Sequence, residues 1–293
     1  MEYSIKDLEN LSNIKAHTIR IWEKRYGIIK PERTQTNIRF YSDEELRKLL
    51  NISILIHNGI KISHIAAFSA EEIKEKALYL LQNPNDMENQ VKNLVISMIE
   101  LNESKFERIL SKSIINIGFE KTMLNLIYPF LVQIGVLWQT GSINPAQEHF
   151  MSSLIRQKLI SSVDSVEPNV LKTSKRFVLF LPEGEWHELG LLFYYYLLKV
   201  RGHHVLYLGQ STPANSLVES KEIWPMDYLL LFISSGFAGL SYDEYLPDLA
   251  LKFKEQQLIV AGEYMKDQKA ILAPNIVFVK NALEFIQLID SIS

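Results

Sequence analysis

Residues 176–200, RFVLFLPEGEWHELGLLFYYYLLKV, pass from a short apolar run through a polar loop into a longer apolar stretch. Arg176–Leu181 has the length and composition of a buried strand, and the loop carries Glu185, His187 and Glu188. Similar runs recur downstream at His204–Leu208, Tyr228–Ser234, Leu258–Ala261 and Ile276–Val279, with helical stretches between them. Near-continuous apolar strands separated by helices call for a parallel sheet covered on both faces. Five such units predict a flavodoxin-like doubly wound domain, in which ligands bind beyond the carboxyl ends of the strands. His187 lies on such a loop.

Upstream, the pattern changes from strands to helices. Val91/Leu94/Val95/Met98/Leu101, Phe106/Ile109/Leu110 and Leu124/Ile127/Leu131 recur at three- and four-residue spacing, as do Leu78 and Leu81. A helical bundle is expected from about residue 70 to 170, with a linker near 161–175. Asn144, Pro145 and Gln147 read as N-cap, first helical residue and capping-box partner. That reading puts Glu148 and His149 in the opening turns of one helix and Trp138 at the end of the preceding one. The three are expected near one interhelical corner.

The first 75 residues carry short helices around a compact basic loop. Ser4 with Asp7 and Ser42 with Glu45 are capping-box pairs, and Gly27 is placed to stop a helix that bears Ile19, Ile21, Trp22 and Tyr26. Pro31–Arg39 reads as a loop or small wing. The net charge of -3 hides an uneven distribution, because Lys15–Arg39 holds seven basic residues against two acidic ones. A basic cluster of this kind suits phosphate contact with counterion release, and the mildly acidic remainder does not.

Composition narrows the field. A chain of 293 residues with 47% hydrophobic and 22% charged residues is of ordinary globular type, long enough for two or three domains. It contains no cysteine, which excludes disulfides, thiolate nucleophiles and thiolate-bound zinc. The most apolar stretches fall short of the roughly 20 residues of a membrane span, and Met1 leads straight into patterned sequence. A cytoplasmic location is expected, without a membrane partner.

Residues 17–23 (HTIRIWE) with Arg25-Tyr26-Gly27-Ile28-Ile29, Pro31, Arg33, Asn37, Arg39 and Tyr41 closely resemble the DNA-binding domain of the MerR family. The resemblance implies a winged helix-turn-helix whose second helix enters the major groove of double-stranded DNA. It implies DNA contact by His17, Thr18, Arg20, Arg33, Asn37, Arg39 and Tyr41. Thr18 and Arg20 lie near the helix start, where side chains reach base edges, and Lys24 and Arg25 suit phosphates. Trp22 and Tyr26 read as core, and His17 equally as a surface residue at the start of a helix.

Glu185, His187 and Gly190 form E-x-H-x-x-G, similar to the cobalamin-binding signature of methionine synthase and base-off mutases. A neutral imidazole there can bind a transition metal while Glu185 orients its other nitrogen, and Gly190 permits close backbone approach. Together with Trp138-x9-Glu148-His149 and the reader in front, the order and spacing resemble the CarH/LitR photoreceptor regulators over essentially the whole chain. That resemblance implies adenosylcobalamin as cofactor, with cobalt held from below by His187 and the upper face covered by Trp138, Glu148 and His149. In that family light cleaves the cobalt–carbon bond and an oligomer leaves DNA. Ser234 (or Ser235) and Ala261-Gly262 stand at the later cofactor-binding positions. Gln139 departs from the histidine that follows the motif tryptophan in relatives forming a stable light-exposed adduct.

The expected architecture is therefore mainly α plus α/β. A winged helix-turn-helix spans 1–75, a helical bundle capping cobalamin spans 76–170, and a flavodoxin-like cobalamin-binding domain spans 171–293. The expected function is a homo-oligomeric (dimer or tetramer), DNA-binding repressor controlled by adenosylcobalamin and light, not an enzyme. A cofactor-free MerR-type regulator whose C-terminal domains dock an antagonist protein or another ligand is the alternative. A cobalamin-dependent methyl-transfer or mutase module is a third reading, for which the chain supplies no substrate barrel. P-loop, G-x-S-x-G and H-E-x-x-H motifs are absent, and His57, His64, His203 and His204 read as structural or surface residues.

Overall fold

The computed structural model describes residues 3–34, 37–80, 86–139, 141–167, 169, 173–233, 242–262 and 273–292. It divides into two compact units, Met1–Leu154 and Ile155–Ser293. Ser234, the Gln139 side chain, the Leu78 side chain and Leu81 lie outside the described residues.

The first unit opens with helices α1 (Ile5–Ser12) and α2 (Ala16–Tyr26), an antiparallel pair β1 (Glu32–Arg33) and β2 (Arg39–Phe40), and α3 (Asp43–His57). The Ser4–Asp7 capping box forms in both directions, and Gly27 ends α2 in the left-handed region. Ser42 caps α3, but only half of the expected box exists. Its hydroxyl takes the Glu45 N–H, while the Glu45 carboxylate takes the Lys30 N–H at 2.9 Å. The side chain is spent on fixing the wing's entry rather than on the cap. Ile19 and Trp22 are buried, whereas Ile21 is 52% exposed, because it points away from the face that α2 packs.

Helices α4 (Ile62–Ile65), α5 (Ala70–Leu80), α6 (Met87–Ile99), α7 (Glu103–Ile117), α8 (Phe119–Thr122) and α9 (Tyr128–Gln139) follow, and α10 (Pro145–Asp164) continues into the second unit. Every residue of α6 from Asn89 to Ile99 is buried, making it the axis of the bundle. Between α8 and α9 lies a π-helical turn, Met123–Ile127, closed by the Tyr128 N–H on the Met123 carbonyl. Pro129 accounts for it. Its ring has no N–H to give and would strike the carbonyl four residues back in a regular helix, so the chain widens by one residue. The linker expected from residue 161 begins later, since α10 runs through Asp164.

The second unit adds β3 (Arg176–Pro182), α11 (Leu189–Val200), β4 (His204–Thr212), α12 (Ala214–Ile223), β5 (Tyr228–Phe232), α13 (Tyr242–Lys252), β6 (Gln257–Ala261), β7 (Ile276–Val279) and α14 (Ala282–Ser291). The sheet order is β4-β3-β5-β6-β7 with every neighbouring pair parallel, as a flavodoxin-like domain requires. Alternation along the strands divides the core. Val178, Phe180, Leu229, Leu231, Leu258 and Val260 pack with Leu217 of α12 and Leu246, Leu249 and Phe253 around α13. On α11, Tyr194 lies against Phe232 and against Phe285 of α14. Each such fully buried Leu or Phe contributes about 1.5–3 kcal/mol. Among the described residues, no helix is long and apolar enough to cross a membrane.

Gly262, directly after β6, has φ +129°, and a Cβ there would sit 1.9 Å from the Ile233 carbonyl oxygen. Backbone, not a flexible side chain, occupies the space. Gly262→Ala is expected to cost about 2 kcal/mol or more of stability through strain and collision. Urea unfolding followed by tryptophan fluorescence checks it; an unchanged midpoint would show that the two strand ends can move apart.

Candidate functional site

The reader comes first in the chain. His17 and Arg20 on α2, Lys24 further along it, and Arg33, Asn37 and Arg39 on the wing are all exposed, and Thr18 is half-buried. Asn37 sits in the left-handed region at φ 65°, where its carbonyl-bearing side chain takes the Arg33 guanidinium at 2.5 Å. Tyr41 differs from the rest. It is fully buried, its main chain pairs with Tyr3, and its hydroxyl donates to Glu23. Burial and the Glu23 carboxylate push its phenol well above the ordinary value. Arg39 also reaches Glu23, at 3.6 Å. Glu23, on α2, thus ties that helix to the base of the wing.

In the bundle, the expected cap is complete: Asn144 accepts the Gln147 N–H, and Gln147 accepts the Asn144 N–H. Glu148 closes the first turn of α10 and His149 follows it, with Glu148 Oε2 2.9 Å from His149 Nδ1. His149 is 75% exposed by side chain and Trp138, which ends α9, is about half exposed. The turn between them is short, with the Gly141 N–H on the Trp138 carbonyl and the Ser142 N–H on that of Leu137.

The loop after β3 carries the densest polar construction. Glu185 is 2% exposed, and its Oε1 accepts the N–H groups of Trp186 at 2.9 Å and His187 at 3.0 Å. The same oxygen lies 2.6 Å from His187 Nδ1. Burial alone would raise the Glu185 carboxyl, but the donors from His187 and Trp186 outweigh it and hold the group below its ordinary value of 4.5. The imidazole itself is 70% exposed. With Nδ1 engaged by a carboxylate, Nε2 is the nitrogen that would be left to hold a metal, the arrangement that orients a histidine ligand and raises its basicity. These residues fit a cobalt-bearing cofactor by the chemistry of their donors. Gly190 has another neighbour than a ligand: a Cβ there would meet the Phe232 ring at 2.4 Å.

Three residues around this loop carry no motif in the sequence. Ser211 accepts the Gly184 N–H at 3.1 Å through its hydroxyl and gives its own N–H to the Glu185 carbonyl. Tyr207 donates to Glu188 at 3.0 Å, and Arg156 meets the other oxygen of Glu188 at 2.5 Å. The only sequence signal for them is an acidic residue directly after His187, which calls for a cation from somewhere.

The family described as MerR HTH family regulatory protein matches residues 3–72, and the B12 binding domain matches residues 90–160. The chain is 30% identical over 220 residues to the HTH-type transcriptional repressor CarA of Myxococcus xanthus, covering 74% of this chain and 71% of that one. It is 26% identical over 246 residues to the repressor CarH of the same organism, covering 82% and 78%. The monomethylamine corrinoid protein of Methanosarcina barkeri shares the fold, with a TM-score of 0.57 at 14% identity over 68% of this chain and 96% of that one.

The depressed Glu185 carboxyl has a pH consequence. A group whose folded pKa lies below its unfolded value stabilises fully above the unfolded value, here 4.5, and loses that contribution as pH falls through the folded one. The difference in urea midpoint between the wild type and Glu185→Gln should therefore narrow from about pH 6 to about pH 3.5. A constant difference would mean that the carboxylate charge does not hold the loop.

Proposed function

The chain belongs to the MerR-type regulators that carry a B12-binding region, the family of CarA and CarH, and from this premise we propose that it is a repressor whose grip on DNA is set by adenosylcobalamin and by light. The observation that carries the cofactor half is the imidazole of His187, exposed at the carboxyl end of β3 with Nδ1 2.6 Å from a buried carboxylate. His187 would hold cobalt from below through Nε2. By the resemblance, Trp138, Glu148 and His149 serve the upper face. Ser234 and Gly262 stand further along the cofactor-binding region. Adenosylcobalamin, when bound, supplies a cobalt–carbon bond that light can break.

The DNA half rests on α2 and the wing. Thr18 and Arg20 face base edges from the start of the helix, His17 stands beside them, and Lys24, Arg33, Asn37 and Arg39 lie along the flanking backbone. A two-fold pair of heads suits a palindromic operator, so a dimer or tetramer is the acting species. Cofactor acts by binding one oligomeric arrangement better than another, since only differential affinity shifts such an equilibrium. Both named relatives are repressors, which favours repression as the outcome.

Protein mixed with adenosylcobalamin in the dark should keep its colour through desalting, elute as an oligomer, and change size after green light. Colourless protein would favour a regulator whose C-terminal half docks another partner. Colour without a change in size would leave a cobalamin sensor indifferent to light. His187→Ala should alter or abolish the bound cobalt spectrum; an identical spectrum would remove the histidine as ligand.

Arg20→Ala should weaken binding to duplexes that the protein selects from a random pool, by about 1–3 kcal/mol if it reads a base. If it contacts only phosphate, the loss should be uniform across sequences and the salt slope should fall by about one. Unchanged affinity at moderate salt would end the assignment of α2 as the reading helix.

A further inference from the structure

Glu188 follows His187 directly and stands at the N-cap position of α11, in a helical backbone conformation. Its N–H goes to the Trp186 carbonyl and its own carbonyl takes the Leu192 N–H. Adjacent Cα atoms are held about 3.8 Å apart, so where the Glu188 side chain is pinned, the His187 backbone is pinned too. The carboxylate is 7% exposed and has two partners: Arg156 Nη2 at 2.5 Å from Oε1, and the Tyr207 hydroxyl at 3.0 Å from Oε2. Oε1 is buried and takes no hydrogen bond beyond the Arg156 contact.

Arg156 comes from α10, 32 positions earlier in the chain. The same helix is gripped a second time, two turns on, where Lys199 Nζ donates to the Val163 carbonyl at 2.8 Å. Between the two grips, Tyr207 stacks on Tyr195 at 5.1 Å between ring centroids, and Lys199 lies 5.8 Å from the Tyr195 ring. Burial and the Glu188 carboxylate raise the Tyr207 phenol, keeping it a donor.

We infer that Arg156 is a positioning residue for His187: its ion pair with Glu188 anchors the start of α11 to α10 and so fixes where the imidazole points. The inference rests on the reading of His187 as a cobalt ligand. Without Arg156, a buried carboxylate keeps only a neutral phenol as partner. It must then turn toward water, and that movement releases the residue next to His187.

The test uses the full chain labelled with 15N-histidine, loaded with cob(II)alamin, and its variants Arg156→Met and Arg156→Lys. In the electron paramagnetic resonance spectrum, axial coordination by labelled histidine gives a doublet splitting, whereas an unlabelled nitrogen gives a triplet. The wild type should show the doublet. Arg156→Met should lose it, or retain cobalamin roughly tenfold more weakly, the range found when a partner of a metal-bound histidine is removed. Arg156→Lys should fall between, since it restores the charge but not the planar fork.

Hydrogen exchange on cobalamin-free protein gives a second readout. The amides of residues 186–189 should exchange faster in Arg156→Met while those of β3 and β5 keep their rates. If Arg156→Met unfolds, exchange will rise throughout, and Arg156→Lys decides: an unchanged doublet, affinity and loop exchange in that variant would overturn the inference. The same three unchanged results in a folded Arg156→Met would overturn it as well. A wild type without the doublet would instead defeat the reading of His187 as ligand, and the inference with it.

Discussion

A buried carboxylate at the end of the first strand of the parallel sheet governs the geometry of the candidate cofactor site. Taking an anion such as Glu185 out of water costs several kcal/mol, which must be returned by donors placed where it lands. The chain meets that demand locally, with two successive backbone N–H groups and the ring of His187 converging on one oxygen. The convergence is possible only because the loop turns sharply after β3. Gly184 takes φ 84°, Ser211 takes φ 49°, and the β3–β4 register shifts twice before Pro182 pairs with Thr212. The strand irregularity, the strained serine and the aim of the histidine are therefore one arrangement.

Much of this was legible in the sequence, and the legible part has a common cause. Caps, helix stops and strand runs are set by neighbours within four residues, so Ser4, Gly27, Asn144 and the run from Arg176 declare themselves. The parallel pairing throughout the sheet follows from the alternation of strands and helices, because parallel neighbours need a covered crossover. Pairings across long stretches were not legible. Nothing near Glu45 says that its carboxylate will serve Lys30 rather than its own helix, and nothing near Arg156 points to Glu188. Tyr41 belongs with these. Its place in the motif suggests a DNA contact, but tertiary packing buries it and turns its hydroxyl onto Glu23. Pro129 was visible as a residue, but its effect was hidden, since a helix can answer proline by kinking, stopping or widening. Here it widens, and the residues that follow are turned relative to an unbroken helix.

Within the first unit, the N-terminal helices and the bundle are joined by direct contacts. Gln133 of α9 donates to the Leu11 carbonyl of α1 at 3.2 Å, and Ser142, in the turn after α9, donates to Asp7. Asp7 also closes the capping box that opens α1. His57 at the end of α3 lies 3.5 Å from Asp86 and 3.4 Å from Glu88, which open α6. The turn that links Trp138 to Glu148 and His149 thus touches the helix that starts the DNA-binding fold.

Neighbourhood alone does not make such contacts a signal path, for coupling requires an element with two arrangements whose balance both sites bias. The irregular element nearest these contacts is the π-helical turn. A π turn holds one residue more than the α turn it replaces, whereas α6 beside it is buried along its length and admits few alternatives. Pro129 denies the regular α-helical bond at that point, so the widened turn cannot simply anneal. The widened turn and Gln133 lie on the same continuous helical stretch, and Ser142 stands in the turn that follows it, so the least regular segment of the bundle runs directly into its contacts with α1.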